Sequence, residues 1–294
     1  MTSPLLSIAP QRLLVLGATG MLGNAMFRLF SDSVGFETYG TSRASANLSQ
    51  FDKALLPRII AGVDVHHHDH LVQLFDQLRP GTVINCVGLV KQLAKAEDHL
   101  ESLEINSLLP HRLARLASLA GARLIHVSTD CVFSGREGGY RESDTPDALD
   151  LYGRSKLLGE VTYGNAVTLR TSIIGHELAS TRSLVGWFLA QKEMVRGYTR
   201  AVFSGLPTVE LARAIRDHVL PRPKLRGLWH VSSEPISKYE LLKLIKRIYG
   251  CSSEILVDEQ PVIDRSLDSS RFRAETGWRP ESWETLVTAM HRFG

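Results

Sequence analysis

A chain of 294 residues, 44% hydrophobic and 22% charged, has room for one large α/β domain or two modest lobes around a shared core. Its formal charge of +3 comes from scattered basic residues, which excludes nucleic acid and an anionic membrane surface as expected partners. No segment approaches the roughly 20 apolar residues of a membrane helix.

The chain opens on Met1 to Arg12, which lacks a basic flank before an apolar core and does not read as a signal peptide. The apolar run Arg12 to Gly17 predicts a buried parallel strand, and Met21 to Phe30 has helical spacing. Strands are expected at Phe36 to Thr41 and Gly62 to Val65, then a helix at Val72 to Leu78 that Pro80-Gly81 breaks. A strand at Thr82 to Val87, a helix at Ile105 to Ala120 and a strand at Arg123 to Ser128 continue the alternation. A helix over Leu151 to Glu160 and a strand over Val167 to Thr171 complete it. Strands alternating with helices predict a parallel sheet covered on both faces, a doubly wound α/β fold. Beyond Ser172 the rhythm loosens into a helix at Pro207 to Val219, a strand at Gly227 to Ser232, and helices at Lys238 to Tyr249 and Trp283 to Phe293. With no Gly/Ser linker, the second lobe is expected to grow from the same sheet. Cys86, Cys131 and Cys251 lack C-x-x-C spacing, so neither a disulfide framework nor a zinc site is expected; the protein is expected to be cytoplasmic.

Between the first strand and the first helix stands Gly17-Ala-Thr19-Gly20-Met21-Leu22-Gly23. A pyrophosphate needs a tight turn, close backbone approach and the free N–H groups of a helix start, and this segment offers all three. Gly17, Thr19, Gly20, Met21, Leu22 and Gly23 are therefore candidate cofactor contacts. The second strand ends Tyr39-Gly-Thr-Ser42-Arg43, without the acid that would bind a ribose 2′-hydroxyl. Ser42 and Arg43 can donate to a 2′-phosphate, which favours NADPH, with NADH as the alternative. Cys86, Val87 and Gly88, at and beyond the end of a later strand, are further cofactor candidates. The segment His66-His-His-Asp-His70 reads as a solvated helix start and not as a metal site, because consecutive histidines cannot converge on one point.

Tyr152 and Lys156 lie one turn apart on a predicted helix face. Ketone reduction needs a proton donor, which a phenol can be, and an adjacent ammonium is expected to lower the phenol's pKa. Ser128-Thr129-Asp-Cys131-Val-Phe-Ser134-Gly sits where a strand ends, and there a hydroxyl can orient a substrate carbonyl.

The G-x-x-G-x-x-G spacing resembles the short-chain dehydrogenase/reductase superfamily, particularly its extended members. In those members an acidic and an aliphatic residue contact adenine after the third strand, here Asp64 and Val65. The segments Ser128 to Gly135, Tyr140 to Pro146, Leu151 to Glu160 and Leu169 to Ser172 together resemble the dTDP-4-dehydrorhamnose reductase family, well over roughly the first 175 residues and loosely beyond. The resemblance implies an NADP-binding Rossmann domain over 1–172, to which elements near 203–232 return, and a nucleotide-sugar-binding lobe over 173–294. It also implies Thr129, Tyr152 and Lys156 as the catalytic trio, with Tyr152 and Lys156 touching the cofactor as well. Cys131 and Ser134 depart from the tyrosine and aspartate common in that family. Related 4,6-dehydratases carry glutamate at the position of Cys131, and a thiol replaces that acid poorly.

The reaction that the resemblance implies is reduction of the C4 keto group of a nucleotide-linked deoxysugar, in surface-polysaccharide (lipopolysaccharide) precursor synthesis. Arg182, Lys192, Arg196 and Arg200 are candidate diphosphate donors, and a homodimer is the candidate assembly. A nucleotide-sugar 4-epimerase is the first alternative, disfavoured by the missing acid. A non-catalytic NADPH-binding regulatory subunit, such as that of methionine adenosyltransferase, is the second.

Overall fold

Aliphatic residues alternating along short strands decide which layer each side chain enters. The computed structural model describes residues 9–90 and 97–294, so most of the segment weighed above as a leader, residues 1–8, lies outside the described residues. The first half runs β1 (Gln11–Leu16), α1 (Met21–Ser31), β2 (Phe36–Ser42), β3 (Ile59–Ala61), α2 (His68–Leu78), β4 (Thr82–Asn85), α3 (His99–Ser102), α4 (Leu109–Leu119), β5 (Arg123–Thr129), α5 (Leu151–Leu158) and β6 (Ala166–Thr171). The second half runs β7 (Ile173–Ile174), α6 (Leu184–Leu189), β8 (Val195–Tyr198), β9 (Ala201–Phe203), β10 (Leu206–Pro207), α7 (Thr208–Ala214), β11 (Gly227–His230), β12 (Ile236–Ser237), α8 (Lys238–Tyr249), β13 (Ile255–Asp258), β14 (Ile263–Asp264), α9 (Ser270–Thr276) and α10 (Trp283–Phe293).

Seven strands form one parallel sheet in the order β11-β6-β5-β4-β1-β2-β3. This is the doubly wound α/β arrangement, whose chain leaves β1 in both directions and opens a crevice at the carboxyl ends of β1 and β4. Leu13 and Val15 of β1 pack on one side with Met26, Phe27 and Phe30 of α1 and Leu211 of α7. Leu14 and Leu16 pack on the other with Leu71, Leu74, Leu109 and Leu113. That period of two, buried on both faces, is what helices on both sides of a sheet require.

Two elements depart from expectation. The third strand is Ile59–Ala61, three residues earlier than Gly62 to Val65, because β2 pairs Gly40, Thr41 and Ser42 with Ile59, Ile60 and Ala61. The chain turns at Gly62, and Val63 then donates its N–H to the Ser42 carbonyl. The helix expected at Ile105 to Ala120 starts at His99 and passes through a π-helical stretch, Leu103–Leu108, before α4. Pro110 has no N–H to give the carbonyl of Asn106, so the ladder slips there.

Helices α6, α8 and α10, with two short sheets, β8 with β13 and β9 with β12 and β14, enclose a smaller core of Val185, Phe188, Leu241, Leu242, Ile245, Val287 and Met290. Before that core closes, the chain returns to the main body, where α7 packs on α1 and β11 pairs with β6. No helix among the described residues is long and apolar enough to cross a membrane.

Candidate active site

The glycine turn closes tightly over the end of β1. Gly17 has φ +80°, and a Cβ on Gly23 would stand 2.0 Å from the Gly17 carbonyl oxygen, so neither position admits a side chain without displacing backbone. Gly20 caps α1 without a side-chain acceptor, leaving the first helical N–H groups, those of Met21, Leu22 and Gly23, aimed out of the helix start. Gly20 is exposed, and Thr19 and Met21 are half-buried beside it. Thr41 ties the turn to β2, accepting from the Gly17 N–H at 3.1 Å through its hydroxyl and from the Ala18 N–H at 2.9 Å through its carbonyl.

At the end of β2, Ser42 is buried and donates its hydroxyl to the Ala44 carbonyl at 2.7 Å. Arg43 is exposed and pairs with no carboxylate among the described residues. The acid on β2, Glu37, stands near the strand's opposite end, bound to Arg12 and Tyr39. Asp64 lies past β3 and accepts from the His66 N–H at 3.1 Å, while Val65 packs against the core beside β1. In the histidine run, His66 faces Glu104 at 3.0 Å and Glu101 at 3.5 Å, His70 accepts from the Asp64 N–H, and the His67 and His70 rings stand 5.2 Å apart.

Cys86 continues the β4 ladder to the Leu16 carbonyl, and Val87 packs against Gly17. A Cβ on Gly88 would stand 3.9 Å from Lys156 Nζ and 3.5 Å from Asn106 Oδ1, which brings this loop against α5. Asn106, in the π-helical stretch and 1% exposed, accepts from the Leu89 N–H at 2.9 Å and donates to the Leu89 carbonyl and to Ser155 Oγ. The glycine turn, Val87, Gly88 and Lys156 thus line one crevice at the switch point.

The three catalytic candidates also converge. Thr129 ends β5 and is buried; its hydroxyl accepts from the Cys131 N–H at 3.1 Å and donates to Asp130 Oδ1 at 3.2 Å. Asp150 caps α5 by accepting from the Gly153 N–H at 2.8 Å, which sets Tyr152 in the first turn. Burial pushes the Tyr152 phenol above its ordinary value, and nearby Cys131 adds to this, while a hydrogen bond with Thr129 pulls it down. Lys156, buried, donates Nζ to the Val127 carbonyl at 3.0 Å, and burial brings its pKa down to about 8. The phenol lowered by an ammonium, expected from the spacing, is therefore corrected: here the phenol is raised, because burial and the acidic groups around it act in the same direction and outweigh the hydrogen bond with Thr129. Burial, reinforced by Asp130, also pushes Cys131 up to about 12. Beneath the site, Ser128 Oγ donates to Glu160 Oε1, and Glu160 pairs with Arg170 in a buried bridge.

The lobe candidates do not converge. Arg182, Lys192, Arg196 and Arg200 are all exposed, and Arg196 faces Asp258 at 3.5 Å. Sequence reasoning missed Thr41, Asn106 and the Glu160–Arg170 pair. Only Asn106 carried a signal, as an amide between the apolar residues Ile105 and Leu108 of a predicted helix.

The fold and the clustered Thr, Tyr and Lys define an extended short-chain dehydrogenase/reductase architecture. The chain belongs to the RmlD substrate binding domain family, whose profile matches residues 11–292. It is similar to methionine adenosyltransferase 2 subunit beta of Mus musculus, 26% identical with 96% of this chain and 90% of that one covered. It is 28% identical to the spore coat polysaccharide biosynthesis protein SpsK of Bacillus subtilis (strain 168), over 94% and 95% of the two chains. Its fold resembles the dTDP-4-dehydrorhamnose reductase of Bacillus anthracis solved in complex with NADP, with a TM-score of 0.78, 22% identity and 97% and 100% of the chains covered.

Proposed function

We propose that the protein reduces the 4-keto group of a nucleotide-linked deoxysugar with NADPH, in the cytoplasm and in the service of surface-polysaccharide precursor synthesis. The observation that carries this reading is the convergence of Thr129, Tyr152 and Lys156 on the crevice that the glycine turn opens. The residues present fit a phosphorylated dinucleotide: the helix start is uncapped, Gly17 and Gly23 admit no side chain, and Arg43 stands where an acid would select NAD. When bound there, NADPH supplies hydride to the keto carbon.

The protein's own groups do the rest. The Tyr152 phenol, held protonated by burial, gives its proton to the oxygen of that carbon, so ketone, hydride and proton balance to an alcohol. Lys156 holds the ribose hydroxyls and neutralises the phenolate left behind. Thr129 turns its hydroxyl to the carbonyl and orients it. Arg43 carries the 2′-phosphate, and Gly17, Thr19, Gly20, Met21, Leu22 and Gly23 cradle the pyrophosphate. The segment 173–294 grips the nucleotide diphosphate, and the active form is a homodimer. A 4,6-elimination is disfavoured, since a thiol raised to about 12 at Cys131 is a poor acid or base at neutral pH. A 4-epimerase is disfavoured by the absence of an acid at the end of β2.

A second reading has a specific observation behind it: the similarity to the beta subunit of methionine adenosyltransferase 2. It makes the chain an NADPH-binding regulatory subunit without turnover. The deciding assay follows NADPH consumption with a freshly generated dTDP-4-keto-6-deoxysugar, with NADH and the UDP-linked sugar as controls. Consumption that disappears in Tyr152→Phe is the expected result. NADPH binding without consumption on any keto-sugar overturns the reductase reading in favour of the regulatory one.

A further inference from the structure

The reaction as written leaves one buried carboxylate beside the catalytic helix without a task. Glu160 follows Lys156 by four residues, just past the end of α5, and its side chain is 5% exposed. Three hydrogen bonds clamp it: Ser128 Oγ donates to Oε1 at 2.7 Å, Arg170 Nε donates to the same oxygen at 2.7 Å, and Arg170 Nη2 donates to Oε2 at 2.7 Å. Ser128 and Arg170 are register partners across β5 and β6, so two neighbouring strands present their polar side chains to one group. Arg170 is itself backed by His230 at 3.3 Å and lies over the Phe133 ring at 5.2 Å.

A buried ion pair is a poor stabiliser compared with well-packed apolar side chains of the same volume. The placement of this one is informative. Ser128 immediately precedes Thr129, and Glu160 follows Lys156 by four residues, two past the last residue of α5. The clamp therefore joins the strand that carries the hydroxyl to the helix that carries the phenol and the ammonium.

We propose that Glu160 is a positioning residue, clamped by Ser128 and Arg170, whose fixed negative charge keeps Lys156 an ammonium while it binds the cofactor ribose. This rests on the role given to Lys156 in the reductase reading. The groups facing Lys156 come from each element packed around it. Cys86 stands at the end of β4, and burial pushes its thiol up to about 12, so it stays neutral. His126 of β5 is pushed well below its ordinary value by burial and is neutral too. Asp130 and Cys131 lie on the turn after β5, nearer Tyr152, and Asp130 is engaged with Thr129. The π-helical stretch offers the uncharged Asn106 and Ser107, while its Glu104 faces His66. Glu160 is thus the negative group that acts most on Lys156, against the burial that holds the lysine near 8.

The sign follows. Removing the carboxylate's charge lets burial lower Lys156 further, so the ammonium is lost at lower pH. The measurement is the NADPH dissociation constant against pH, by cofactor fluorescence, for the wild type, Glu160→Gln and Glu160→Gln/Arg170→Gln. The double variant buries two neutral amides and so avoids the lone guanidinium that could unfold the single one. Wild-type affinity is expected to weaken as pH rises through about 8. In the variants that weakening is expected about one pH unit lower. A folded variant whose profile superimposes on the wild type overturns the proposal, even where its melting temperature falls. So does a wild type that binds NADPH with no alkaline weakening. The keto-sugar assay separates the two readings: binding that shifts as expected without turnover sinks the reductase and leaves the role of Glu160 intact.

Discussion

Around the carboxyl ends of β5 and β6 the polar side chains are buried and joined to one another; around β8 and β13 they are exposed. In the first region Ser128, Glu160, Arg170, His230 and the Tyr140 carbonyl form one chain of hydrogen bonds beneath Thr129, Tyr152 and Lys156. In the second, Arg182, Lys192, Arg196 and Arg200 extend from a lobe whose core is built on apolar side chains such as Val185, Phe188 and Ile245. Buried groups shift one another's pKa and hold fixed positions, whereas exposed cations keep ordinary properties and cost little to move. The proposed reaction therefore places its proton chemistry on the sheet and recognition of the nucleotide on adaptable lobe side chains.

The largest effect is expected at the proton donor. Tyr152→Phe should lower kcat by ~10²–10⁴-fold while leaving NADPH affinity close to wild type. Steady-state rates beside a fluorescence titration check it, and near-normal turnover would mean the buried region does not run the chemistry. Gly23→Ala tests the cradle next, since its Cβ would overlap the Gly17 carbonyl oxygen. It should cost about 2–3 kcal/mol of stability by forced repacking and raise the NADPH dissociation constant at least ~tenfold. Thermal melts with and without cofactor read both effects.

Acid should unravel the buried network before it touches the lobe. His230 donates from Nδ1 to the Tyr140 carbonyl and accepts from Arg170 at Nε2, which requires the neutral ring. Burial, helped by Arg170, holds its pKa down to about 4 against an ordinary value of 6.5. A histidine held neutral in the folded state gives its full stability above 6.5 and loses it as pH falls through about 4. Some 3 kcal/mol is at stake across that window, and His230→Gln should flatten the decline of melting temperature there. An unchanged slope would remove His230 from the network.

Much of this was legible beforehand, for identifiable reasons. β1, β4, β5 and β6 are apolar runs bounded by breakers, and the glycine turn and the Tyr152–Lys156 spacing are local patterns. The third strand was displaced because Ile59-Ile60 and Val63-Asp-Val65 are equally plausible apolar runs, and only pairing with β2 chooses between them. The raised Tyr152 phenol was not legible, since desolvation comes from segments brought together by folding. Glu160 and Arg170 look like ordinary charges along the chain; the β5–β6 register makes them partners.

Cofactor choice, in the proposed reaction, falls to an exposed side chain at the end of a buried strand. Arg43→Ala should weaken NADPH about tenfold, the loss of one charge-assisted contact, and leave NADH nearly unchanged. Equal loss for both cofactors would place the arginine on the pyrophosphate or on nothing specific.

The smallest effects should come from the lobe. Single alanine substitutions at Arg182, Lys192, Arg196 and Arg200 each remove an exposed cation, for which about 1 kcal/mol is a generous contribution. Each should raise KM for the nucleotide sugar by no more than about fivefold and leave kcat alone, because none touches the phenol or the ammonium. Arg196 should matter least, since Asp258 already draws its guanidinium away. Rising salt should shrink whatever effect the exposed cations have, while the Tyr152→Phe defect stays as it is. A lobe cation whose loss lowers kcat by an order of magnitude would show that the lobe closes onto the reacting carbon, and the division between buried chemistry and exposed recognition would fall at that residue.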